Sequence, residues 1–167
     1  MQELIVPVRV KIRRQNTFEV LRRLTTEYKA ALKVSFEKLE ESSTRNGMTI
    51  FIRLFSEHPE YKNLWPQMRK MLDSSLMGST ELRQHAVIYM KGLRSIINML
   101  EDEANMLVLL KTIANAHKVK HVRKEHVQEM LPVLLAVLKD CDEDFSNTTE
   151  EAWTALFDVI ATLVDML

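Results

Sequence analysis

His85 has Leu82 three residues before it, Ile88 three after and Tyr89 four after, while His117 stands four after Ile113 and seven after Leu110. At helical spacing each imidazole is a lone polar group on an otherwise apolar face. One such histidine is more often a hydrogen-bonded core residue than a ligand. Two of them, 32 residues apart with one interhelix turn between, can face each other across a single gap lined by Phe51, Trp65, Ile88, Tyr89, Ile113 and Val122. A large, dry, apolar gap with a nitrogen ligand on each wall suits a flat apolar cofactor carrying iron. A haem takes a histidine on one face and leaves the other to a gas, a water or a second side chain.

Other chemistries are poorly served by these residues. His117, His121 and His126 allow a zinc site to be drawn, but no carboxylate or thiolate completes it and His121 falls at a helix end. Met90, a conceivable axial ligand, faces away from the His85 stripe. The three glycines, Gly47, Gly78 and Gly92, are too far apart for any glycine-rich phosphate cradle. Cys141 is the single cysteine, so no internal disulfide, cysteine-rich zinc site or iron-sulfur cluster can form; Asp140 and Asp142 beside it should raise its thiol pKa. No nucleophile constellation and no carboxylate pair on an apolar face supports a hydrolase. With 23 basic and 23 acidic residues in 167, the chain lacks the cation surplus that binds nucleic acid through bulk charge.

The elements that must hold the two histidines read as helices. Low glycine and proline content with abundant Leu, Met, Ala, Lys and Glu predicts an all-α domain. A first helix is expected from Thr25 or Thr26 to Glu41, with Thr26 as a plausible N-cap, and a second from Asn46 to Glu57, stopped by Pro59. A short turn through Tyr61, Leu64 and Trp65 and a linking stretch lead to a long helix from Thr80, which carries His85. Further helices are expected over Glu103 to Lys118, carrying His117, over Lys124 to Lys139 and over Thr148 to Leu167.

Residues 1–24 form a basic N-terminal extension, six cations against two acids, in which Leu4, Val6, Val8, Val10 and Ile12 alternate as in an extended segment. From Leu138 onward one lysine faces eight acids, so the simplest expectation is an arm lying toward the acidic end of its own molecule. Nothing reads as a signal peptide or membrane span, and a reducing cytoplasm is the expected location.

The ordered set of segments resembles the globin family, most closely its neuroglobin-like, hexacoordinate invertebrate members. Thr26 to Phe36 and Gly47 to Glu60 are similar to the first two helices and the entry to the third. Leu82-Arg83-Gln84-His85 is similar to the distal helix, Ile113 to Val122 to the proximal helix and its following corner, and Thr148 to Trp153 to the start of the last helix. The likeness covers residues 25–167 and leaves the extension outside. It implies a three-over-three helical sandwich around haem b (iron protoporphyrin IX), with His117 as proximal iron ligand and His85 as distal histidine.

Gly47 and Ala86 would be the small residues where the second helix crosses the distal one, and Phe51 would lie over the distal side. Trp65 stands where the family has a phenylalanine stacked on the porphyrin, and Tyr89 where a small aliphatic is usual. Met68 and Val127 replace aromatic residues; Ile88, Ile113, Val122 and Met130 complete the lining, and His121 or Lys120 is placed to reach a propionate. Three aromatic side chains at the distal site leave little room for an exogenous ligand, which favours His85 closing onto the iron. The expected work is then electron transfer or redox and oxygen sensing with a partner protein, without catalytic machinery. The alternatives are a pentacoordinate globin transporting or storing oxygen or another diatomic gas, with Tyr89 as a possible donor to it, and a haem-free helical interaction module. His117 is expected to donate its other ring N–H to a carbonyl one turn earlier.

Overall fold

The computed structural model describes residues 17–167, and the alternating segment Leu4 to Ile12 lies outside them. Seven α-helices follow a helical turn at 17–21: α1 (Thr26–Glu40), α2 (Ser43–Glu57), α3 (Asp73–Leu76), α4 (Thr80–Asn98), α5 (Glu103–Val119), α6 (Lys124–Cys141) and α7 (Asn147–Met166), with a 3₁₀ helix at Pro59–Leu64. No strand occurs among the described residues. The architecture is the three-over-three helical sandwich the sequence predicts.

Most helix starts follow from a side-chain oxygen that accepts an otherwise orphaned backbone N–H. Thr25, not Thr26, caps α1 by accepting from the Tyr28 N–H at 3.2 Å. Ser79, Asp102 and Ser146 do the same for α4, α5 and α7. Helix α2 begins at Ser43, three residues before the expected Asn46, because the Asn46 side chain is not a cap: its Nδ2 reaches back to the Leu39 carbonyl at 2.8 Å. The linking stretch contains the short α3, and Lys62 pins it by donating to the Met71 carbonyl at 2.7 Å and to Asp73 at 2.8 Å. Pro132 lies inside α6.

One hydrophobic core joins the layers. Helix α7 packs on α6, α1 and α5, while α2 packs on α4 and α6. Trp153 of α7 is fully buried against Phe36 of α1, and its indole N–H donates to the Ser35 hydroxyl at 2.8 Å. The polar edge of a buried tryptophan is thereby satisfied. Packing between α4 and α5, the helices that carry the two histidines, is sparse.

The folded body reaches further toward the N-terminus than residue 25. Val20, Leu21 and Leu24 are buried in the common core, and Arg23 pairs with Asp158 of α7. Residues 17–24 therefore pack with the domain, and their basic side faces the acidic C-terminal helix.

Candidate functional site

Close approach of α2 to α4 fixes the distal wall. A Cβ built on Gly47 would lie 3.0 Å from Met90 Cγ and 3.2 Å from both the Cβ and the carbonyl oxygen of Ala86. Only a residue without a side chain lets the two helices cross this tightly. Met90 is consumed by that crossing and is not available as an axial ligand. The crossing brings Phe51 of α2 edge-on to three rings at once: His85 at 4.7 Å, Tyr89 at 5.1 Å and Trp65 at 5.6 Å between centroids.

Trp65 closes the 3₁₀ helix, and its indole N–H donates to His85 Nε2 at 3.0 Å. An indole nitrogen can only donate, so His85 Nε2 is the acceptor and its proton sits on Nδ1. Burial holds the imidazole neutral, pushing its pKa down to about 4, with His117 across the gap as the lesser cause. Tyr89, one turn further along α4, has a buried hydroxyl with no hydrogen-bond partner, and the same burial raises its pKa.

His117 stands in the last turn of α5. Its Nδ1 lies 2.8 Å from the Ile113 carbonyl, one turn earlier, as expected. A carbonyl only accepts, so Nδ1 carries the proton and Nε2 keeps an unshared lone pair. The following corner is closed by His121 in the left-handed region (φ 61°) and by the Val122 N–H donating to the His117 carbonyl at 3.0 Å. That turn holds the end of α5, and with it the His117 ring, against fraying.

The remaining sequence candidates divide by depth. Met68, Val127 and Met130 are buried; Ile113 and Val122 are half-buried and pack on the core. Ile88 is 65% exposed, not in a buried lining, and His121 is exposed as well. Among the described residues no three His, Cys, Asp or Glu side chains gather to hold a metal ion. His126 in particular is turned to other work: its Nδ1 accepts the Arg123 N–H at 2.9 Å and its ring meets Tyr61 edge-on. Cys141 is half-buried, and burial raises its thiol pKa more than the neighbouring Asp142 does.

The Trp65–His85 hydrogen bond has no counterpart in the sequence analysis. A signal for it existed, since a tryptophan placed where a hydrocarbon ring is expected brings an N–H that needs an acceptor when half-buried.

The globin family profile matches residues 48–164 of this chain. The chain is a globin. A globin of Nerita albicilla is 24% identical over 88% of this chain and 94% of its own length. Cytoglobin-2 of Oryzias latipes is 32% identical over 66% of this chain and 63% of its own. A myoglobin of Heterodontus portusjacksoni is 27% identical over 72% and 80% respectively. In three dimensions this globin is similar to Aplysia limacina myoglobin in its ferric azide complex, with TM-score 0.80 and 17% identity over 86% of this chain and 97% of that one.

Membership brings haem b as the cofactor, and the residues fit it. His117 offers a nitrogen lone pair with its tautomer already fixed, His85 stands neutral within electrostatic reach of it, and the Tyr89 hydroxyl is buried with no hydrogen-bond partner. No helix among the described residues is long and apolar enough to cross a membrane.

Proposed function

We propose that this globin holds haem b with His117 as the proximal ligand and His85 as a second, reversible ligand, and that it serves electron transfer with a partner protein or senses redox state and oxygen in the cytoplasm. Haem supplies an iron centre that changes oxidation state and accepts a sixth ligand. Everything else comes from the chain. The observation that carries the reading is His85 itself: a neutral, largely buried imidazole, proton on Nδ1, its ring edge-on to Phe51 and Trp65, with Tyr89 on the far side of Phe51. This is the protonation state a metal ligand needs, and the rings leave a gas little room beside it.

A diatomic ligand then waits for His85 to leave, and its apparent affinity falls by the fraction of open pocket. With the pocket open about one tenth of the time, His85→Leu should raise carbon monoxide affinity about tenfold. An unchanged affinity would remove His85 from the iron. It would favour the second reading, a pentacoordinate globin that stores or carries oxygen, to which one observation points: the buried Tyr89 hydroxyl is a donor with no partner in the protein. The pocket contains no arrangement of nucleophile and base, and no enzymatic role is assigned to it.

A further inference from the structure

His85 Nε2 has one lone pair, and in this structure the Trp65 indole N–H occupies it. We propose that Trp65 is a positioning residue that competes with the iron for this lone pair, so that the indole holds His85 in its off-iron state and sets how often the pocket is open. The inference rests on the reading that haem lies between His85 and His117.

The geometry of Trp65 suits a fixed hook and not a swinging one. Its backbone N–H donates to the Lys62 carbonyl at 3.1 Å, and its own carbonyl accepts from the Met68 and Arg69 N–H groups at 2.9 and 3.0 Å. Phe51 and Phe55 stand edge-on to the indole at 5.6 and 5.2 Å. Because Phe51 also meets the His85 ring, one buried side chain keeps donor and acceptor in register. Ring-edge packing of this kind restricts both side chains to the pair of rotamers that bond.

A second consequence follows from the same bond. With the Nε2 lone pair facing the indole and the proton on Nδ1, His85 has no Nε2–H to offer a gas entering the pocket. The Tyr89 hydroxyl, buried and unpartnered, is the donor that remains. Trp65 thus assigns the two distal roles: His85 is ligand or bystander, and Tyr89 is donor.

The test compares the haem-loaded wild type with Trp65→Phe. Removing one hydrogen bond from the off-iron state should lower the open fraction about fivefold, read as an apparent carbon monoxide affinity about fivefold weaker. An unchanged or stronger affinity overturns the proposal. In the carbon monoxide complex, where His85 is displaced, long-range nitrogen–proton NMR should show the His85 proton on Nδ1 in the wild type and a shift toward Nε2 in Trp65→Phe. A wild-type His85 carrying its proton on Nε2 also overturns the proposal. Should the reduced protein prove five-coordinate without added gas, the bis-histidyl reading fails, while the tautomer measurement still decides whether Trp65 holds His85.

Discussion

His126 shows how a histidine that looks like a ligand in the sequence can be committed elsewhere. Its Nδ1 accepts the Arg123 N–H at the start of α6, and burial followed by the Arg123 charge lowers its pKa. The folded value therefore lies below the unfolded one of about 6.5. Stability from this contact is fully present above that pH and is lost as acidification protonates the unfolded chain more readily than the folded one. Protonation also removes the acceptor and places a cation at a helix N-terminus, so the loss should be about 1 kcal/mol, the worth of a cap. His126→Leu lacks the cap throughout, and urea denaturation between about pH 7.5 and 5 should show it with a flatter stability profile than the wild type. An equal slope in both would place the titration elsewhere. That His85 and His117 each stand as a lone polar group on a helix face could be read from sequence, because each interrupts an apolar stripe at helical period. The Trp65 indole signalled that an acceptor was needed, but not that His85 supplies it, since the pairing depends on the path of the 3₁₀ segment and on two rotamers that no periodicity encodes.

At the scale of elements, the α2–α4 crossing at Gly47 and Ala86 is what places Phe51, His85 and Tyr89 on one wall. Gly47→Val adds a branched side chain where a bare Cβ already meets Met90 and the Ala86 backbone at 3.0–3.2 Å. The helices must separate, and overpacking of this kind costs about 2 kcal/mol. Denaturant titration of the haem-loaded protein should report that loss, together with weakened haem retention as the distal wall moves; a stability equal to wild type would show that the crossing yields cheaply. The order and periodicity of the six long helices were legible in the sequence, because amphipathic stripes and Pro59 mark them. The start of α2 was not, because Asn46 ties back to Leu39 and leaves the helix to begin at Ser43. The short α3 was also invisible: it depends on the Lys62 bridge to Met71 and Asp73 more than on its own four residues.

Across the described residues, the packed body includes Thr17, and Arg23 meets Asp158 on α7. One cation of the basic N-terminal segment is thus paired with the acidic C-terminal helix. The family likeness that placed the domain at 25–167 missed these eight residues because Val20, Leu21 and Leu24 are packing residues without a motif. What the fold delivers is two sparsely packed helices, α4 and α5, each carrying one histidine, and a third chain segment that brings Trp65 onto His85. The central claim is that both histidines ligate the iron. The most direct measurement is the absorption spectrum of the purified ferrous protein kept free of oxygen, with His85→Leu beside it. The account predicts a low-spin, six-coordinate spectrum that becomes five-coordinate and high-spin in the variant. A five-coordinate, high-spin spectrum in both would contradict it and leave His117 as the single protein ligand.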